Sequence, residues 1–177
     1  MIRANYVRHL IMLPVLMVLI PFASCNLNSR IDDLQEEESM AIQDFLMRND
    51  TLDFELKTSG LYYVDIETGT GLQTEINDTA SIVYTGKFLN GTEFDSNVGI
   101  DTLIYIADGL TGITGVTEGL LYMREGGKAQ ILVPSSLGFG AYGITYQGYQ
   151  GTLIIGGYTP LLFEVELVQL NKYSGKR

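Results

Sequence analysis

The chain has 177 residues, 46% hydrophobic and 18% charged, enough apolar material for one domain with a real core but too short for two full-sized ones. Its 11 Lys and Arg against 21 Asp and Glu give a net charge of −10, which phosphate backbones repel, so nucleic acid is not an expected partner. The single Cys excludes an internal disulfide, and one Cys with one His argues against a structural zinc site.

In chain order, the first feature is Arg3 and Arg8 ahead of an apolar stretch over residues 10–23, interrupted by Pro14 and Pro21. It is shorter than the ~20 residues that span a bilayer. The basic head and small-residue exit fit a secretory signal over residues 1–24. That exit reads Phe22-Ala23-Ser24-Cys25 and resembles the lipobox of bacterial lipoproteins, with Phe22 where Leu is commoner. The resemblance implies cleavage before Cys25, lipidation of Cys25, and a membrane anchor in the cell envelope, periplasmic or outer-membrane. The alternative is an ordinary signal peptide whose cleavage falls near a Cys. The mature chain would carry nine basic residues against 21 acidic ones.

A polar tether is expected over residues 25–30, then a helix over about 31–48. Ser29 and Asp32 look like its N-terminal cap, and Ile31, Leu34, Ile42, Phe45 and Leu46 share one face. Glu36, Glu37 and Glu38 are read as a solvated face of a spacer that docks loosely. Helix and lead-in occupy residues 31–57.

From Leu52 the period becomes two, with Leu52, Phe54 and Leu56 alternating with Asp53, Glu55 and Lys57. Further strands are expected over residues 61–66 and 81–89, and Asn90-Gly91 is a strong hairpin signal leading to a return strand from Thr92. Leu103-Ile104-Tyr105-Ile106 reads as another short strand. Ile113, Val116, Leu120 and Met123 recur at helical spacing, and residues 128–133 and 161–170 complete the set. The expected fold class is α+β: an antiparallel sheet wrapped around one short helix, preceded by the acidic N-terminal helix. The main domain is placed at residues 58–171, with a tail over 172–177.

Four blocks then stand in order. They are Val83-Tyr84-Thr85-Gly86 with Asn90-Gly91-Thr92-Glu93-Phe94-Asp95-Ser96; Gly115-Val116-Thr117-Glu118-Gly119-Leu120 with Met123 and Gly126; Pro134-Ser135 through Phe139-Gly140; and Leu161-Leu162-Phe163-Glu164-Val165-Glu166-Leu167. Together they resemble the FKBP-type peptidyl-prolyl isomerase family over residues 59–170. The resemblance implies isomerisation of X–Pro bonds in proline-containing or unfolded polypeptides, assisting the folding of exported proteins. The barrier of ~18–20 kcal/mol comes from amide resonance. A dry apolar pocket lowers it by disfavouring the planar amide relative to the twisted form, without nucleophile, metal or cofactor.

Carried over block by block, the resemblance implies a catalytic set of Tyr84, Phe94, Asp95, Ile113, Phe139 and Phe163. Leu103, Val116, Tyr142 and Ile155 would meet substrate, and the Ile113 N–H would hold a substrate carbonyl. By residue type alone, the strand aromatics read equally as core and Asp95 as a turn residue. The chain departs from the family pattern at Val116, where Trp is usual, at Phe139, where Tyr is frequent, and at Leu103, where Phe is common. Residues 138–158, rich in Gly with Tyr142, Tyr146, Tyr149 and Tyr158, form a longer loop, and Gly156-Gly157 replaces a frequent Pro-Pro. Residues 138–143 also spell G-x-G-x-x-G, but Ile144-Thr145-Tyr146-Gln147-Gly148 cannot sustain the helix a dinucleotide site requires. Two other functions share this fold class: a non-catalytic peptide-binding chaperone module and a structural envelope lipoprotein.

Overall fold

The computed structural model describes residues 23–110, 112–148 and 151–175. Residues 1–22 of the expected signal segment and Tyr149 lie outside the described residues. The first element, α1 (Ala23–Arg48), starts well before the expected residue 31, so residues 25–30 are helical where a tether was expected. No Gly or Pro interrupts residues 25–48, so nothing in the backbone stops the helix earlier. Asn49 ends it: its side-chain amide and backbone N–H both donate to the Phe45 carbonyl, at 2.8 and 3.1 Å.

α1 docks firmly. Ile42 and Phe45 are buried against Leu132 and Leu162, with Leu46, Phe54, Tyr62 and Leu89 around them. The Phe45 and Phe54 rings meet edge-on at 6.0 Å. Each buried side chain of this size contributes about 1.5–3 kcal/mol. Glu36 and Glu37 are exposed as expected, but Glu38 is half-buried, because its carboxylate accepts two hydrogen bonds from Ser135.

The alternating run after Leu52 yields only a two-residue strand, β1 (Glu55–Leu56). A turn pinches it off: Lys57 N–H donates to Leu61 O at 2.7 Å and Gly60 N–H to Lys57 O at 2.9 Å. The other strands follow their expected positions: β2 (Tyr62–Glu67), β3 (Thr79–Phe88), β4 (Glu93–Ser96), β5 (Leu103–Ile106), β6 (Lys128–Val133) and β9 (Leu161–Asn171). They form one antiparallel sheet in the order β1-β2-β6-β9-β3-β4, with β5 also paired to β3. The long central pair β3 and β9 runs from Thr79 opposite Asn171 to Phe88 opposite Leu161, with an irregularity between Ser81 and Ile82.

The second helix, α2 (Thr114–Tyr122), lies across the concave face and buries Val116, Leu120 and, just beyond its end, Met123. The core beneath is built from alternate strand positions, including Leu61, Ile82, Ile131, Phe163 and Leu167. Gly119 lets the helix approach closely, since a Cβ there would strike the Ile131 side chain. Residues 138–158 are not simply a loop. They include a hairpin, β7 (Ile144–Gly148) with β8 (Gly151–Ile155), in register from Ile144 opposite Ile155. Its β-branched Ile144, Thr145, Thr152, Ile154 and Ile155 favour strand. A strand, not a helix, thus follows the glycine pattern of residues 138–143.

One ionic tie closes the sheet's far end. Asp78, 1% exposed, accepts from Glu75 N–H, Tyr173 N–H and Lys172 Nζ, each at 2.8 Å. Burial alone would raise its pKa; the hydrogen bonds from Lys172, Tyr173 and Glu75, with the Lys172 charge, outweigh it and hold the carboxyl below its ordinary value. A depressed folded-state pKa stabilises the fold above the ordinary Asp value, and that contribution disappears as pH falls through the folded value. Asp78→Asn should therefore lower stability at neutral pH by about 1.5–3 kcal/mol and flatten the loss of stability as pH falls below the ordinary Asp value of about 4. Denaturant unfolding of both proteins across that range checks it; parallel acid limbs would refute it.

Candidate active site

A cavity of about 420 Å³ opens between the concave face of the sheet, the start of α2 and the β7–β8 hairpin. Its floor and back wall are Val116 (5% exposed), Ile155 and Phe163, all buried. Phe94 stands edge-on to Phe163 at 5.9 Å and packs against Phe88 at 5.2 Å. Gly86 permits this cluster: a Cβ there would come within 2.6 Å of the Phe94 ring. Phe139 and Ile113 complete the aromatic and aliphatic lining, and Leu103 stands at the partly exposed edge.

Few polar atoms enter this space. Tyr84 on β3 donates its hydroxyl to Asp95 Oδ2 at 2.6 Å, and among the described residues Asp95 is the only carboxylate in the lining. Burial raises the Tyr84 pKa, and the Asp95 hydrogen bond and negative charge raise it further, so the phenol stays protonated. Asn97 fixes the surrounding backbone. Its Oδ1 accepts from Tyr84 N–H at 2.7 Å, while its Nδ2 donates to Ile82 O at 3.0 Å and Asp101 O at 2.8 Å. Tyr105 on β5 donates to Ile113 O at 3.1 Å and shares a 2.9 Å hydrogen bond with Thr117 Oγ1. These contacts pin the first turn of α2 to the sheet. Ile113 precedes that turn in extended conformation, and no side chain caps the helix.

A smaller hollow of about 250 Å³ lies on the other face of the sheet. It is lined partly by Lys128, Gln130, Glu164 and Glu166 and lacks the ring cluster of the first. Among the described residues no group of His, Cys, Asp and Glu is placed to hold a metal ion.

The family model for FKBP-type peptidyl-prolyl cis-trans isomerases matches residues 71–168, more than half the chain. The chain belongs to the FKBP-type peptidyl-prolyl cis-trans isomerase family. It is 34% identical over 112 residues to the FK506-binding protein of Neisseria meningitidis serogroup B, covering 63% of this chain and 96% of that one. It is 33% identical over 118 residues to the FKBP-type isomerase FkpA of Escherichia coli K12, covering 65% of this chain but 40% of that one. The crystal structure of E. coli FkpA superimposes with a TM-score of 0.65 at 26% identity, over 84% of this chain and 65% of that one.

Within this FKBP-type cavity the structure brings together Tyr84, Phe94, Asp95, Leu103, Ile113, Val116, Phe139, Ile155 and Phe163. Tyr142 is not among them; it sits in the turn before β7, 98% exposed, and points into solvent. Residues that line the cavity but were not anticipated are Ile82, Tyr105, Gly112, Ile144, Tyr146 and Leu153. Their signal was strand alternation: Ile82 is two from Tyr84, Tyr105 two from Leu103, and Leu153 two from Ile155. Ile144 and Tyr146 are the cross-strand partners of Ile155 and Leu153.

Tyr84 supplies a direct test of this geometry. A raised folded-state pKa leaves the fold's stability intact below the ordinary tyrosine value of about 10 and erodes it as pH climbs above that. Tyr84→Phe should remove one late-ionising phenol from an alkaline absorbance titration and reduce the alkaline loss of stability. If the lost phenol titrates at the ordinary value, Tyr84 is not held by burial and Asp95.

Proposed function

We propose that the cavity receives a prolyl ring and accelerates cis–trans isomerisation of the preceding peptide bond by stripping water from it. The supporting observation is a ring-lined space whose single carboxylate is already hydrogen-bonded to Tyr84. A planar amide is more charge-separated than a twisted one, so a weakly polar enclosure penalises the ground state more than the transition state. Phe94, Phe163, Val116 and Ile155 would hold the ring, with Phe139 and Leu103 beside it. The Ile113 N–H, at the positive end of α2, would hold a substrate carbonyl, and Tyr84 with Asp95 would orient the adjoining chain. Substrates on this reading are proline-containing segments of unfolded or exported polypeptides.

We also read Cys25 as a lipidation site that tethers the chain to the cell envelope once residues 1–24 are removed. The lipobox-like residues before Cys25 support this. Among the described residues no helix is long and apolar enough to cross a membrane, and acyl chains on Cys25 would supply the hold instead.

A second reading, a chaperone that grips unfolded segments, is favoured by one specific feature. The hairpin and the β5 side of the cavity expose Tyr146 (61%), Ile154 (67%) and Ile104 (61%) to solvent.

Two experiments decide. In a protease-free assay on short proline peptides the protein should speed relaxation, and Phe94→Ala should cut kcat/KM more than about tenfold, or roughly 1.4 kcal/mol. No acceleration by the unaltered protein would remove the isomerase reading, and suppression of client aggregation that survives Phe94→Ala would establish the chaperone one. Radiolabelled fatty acid should be incorporated by the full chain in a bacterial host and lost in Cys25→Ser; equal labelling of both would refute the anchor.

A further inference from the structure

The cavity wall is held from outside the part of the chain that carries the family pattern. Residues 71–168 match the family model, whereas Glu38 lies on α1. Glu38 Oε1 accepts from Ser135 N–H at 2.5 Å and Oε2 from Ser135 Oγ at 2.7 Å. Ser135 is buried and begins a one-turn helix, Ser135–Leu137, which no side chain of its own segment caps.

The backbone on both sides of Phe139 is tied to that one residue. The Ser135 carbonyl accepts from Gly138 N–H at 2.9 Å and Gly140 N–H at 2.7 Å, which closes a tight loop around Phe139. The Gly140 carbonyl in turn accepts from Tyr158 N–H at 3.0 Å, fixing the return of the hairpin. Glu38 itself cannot drift, because Ile42, one helical turn further along α1, is buried against the sheet. Charge-assisted hydrogen bonds to a buried backbone N–H are among the stronger positional restraints available to a protein.

We infer that Glu38 is a positioning residue for isomerisation: by holding Ser135 it sets Phe139 against the prolyl site and makes α1 part of the catalytic apparatus. The inference rests on the isomerase reading above. It requires no direct contact between Glu38 and substrate. A purely structural role, pinning α1 to the domain, would leave the kinetics of the cavity unchanged.

The test compares Glu38→Ala, Glu38→Gln and Glu37→Ala in the full chain, measuring kcat and KM on a short proline peptide and amide exchange along the backbone. Gln keeps both contacts, its carbonyl accepting from the Ser135 N–H and its amide donating to the Ser135 hydroxyl. Glu38→Ala should lower kcat/KM about tenfold, Glu38→Gln should stay within about twofold, and exposed Glu37→Ala should change nothing. Exchange at Gly138 and Gly140 should quicken in Glu38→Ala while β6 and β9 stay protected. Unaltered kcat/KM in Glu38→Ala overturns the inference, as does an equal fall in Glu38→Gln. Faster exchange spread across β6 and β9 also overturns it, because that marks general loosening. An inactive unaltered protein is seen before any variant is compared and sinks the isomerase reading itself; activity equal in the unaltered and Glu38→Ala proteins sinks only this step.

Discussion

How closely α2 sits against the sheet decides whether there is a cavity at all. Nine residues are too few for a helix to be stable alone in water, so α2 exists because Val116 and Leu120 are buried against the strands. Tyr105 adds the constraint that packing lacks. Its hydroxyl reaches the Ile113 carbonyl and Thr117, so the first turn is fixed in height as well as in position. Were the helix to settle further, the hollow between Val116 and Phe163 would close; were it to rise, water would enter from below. Hydrophobic burial is non-directional, whereas these hydrogen bonds are not, and the enclosure depends on both.

Val116 bears on the same balance. Where the family pattern has Trp, this chain has a side chain several atoms smaller, yet Val116 is buried and the space above it is open to about 420 Å³. The walls that could move inward are themselves braced: Phe94 by Phe88 and Phe163, Phe139 by the Ser135 loop, and Ile113 by Tyr105. A braced frame resists refilling the space that a smaller floor residue leaves, whereas in an unbraced core the same loss would be partly refilled.

The sequence made local features legible and left distant ones hidden. Period-two runs placed β2, β3, β5, β6 and β9, and the spacing of Ile113, Val116 and Leu120 placed α2, because burial on one face writes itself into neighbouring residues. The family-like blocks pointed to nine residues that the fold gathers around one cavity. Tyr105, Ile82 and Leu153 escaped notice although each lies two positions from a residue already in view on the same strand. Residues 138–158 misled for a different reason: their glycines spoke for a loop, while the β-branched residues between them had enough strand propensity to pair. The contact between Glu38 and Ser135 spans 97 residues and leaves no local pattern, so a carboxylate amid three consecutive glutamates reads as solvated surface.

The distribution of charge explains how so acidic a chain can maintain so unpolar a recess. Two phenols of the cavity lining, Tyr84 and Tyr105, are both pushed upward by burial, so neither of these ionises near neutrality. Asp95 has its charge directed onto a hydroxyl rather than into open space. Acid sensitivity is placed elsewhere, in the Asp78 tie to Lys172 and Tyr173 at the far end of β3 and β9. Acid weakens the join that closes the sheet as pH falls through the lowered Asp78 value, so this source of acid sensitivity belongs to the fold rather than to the recess.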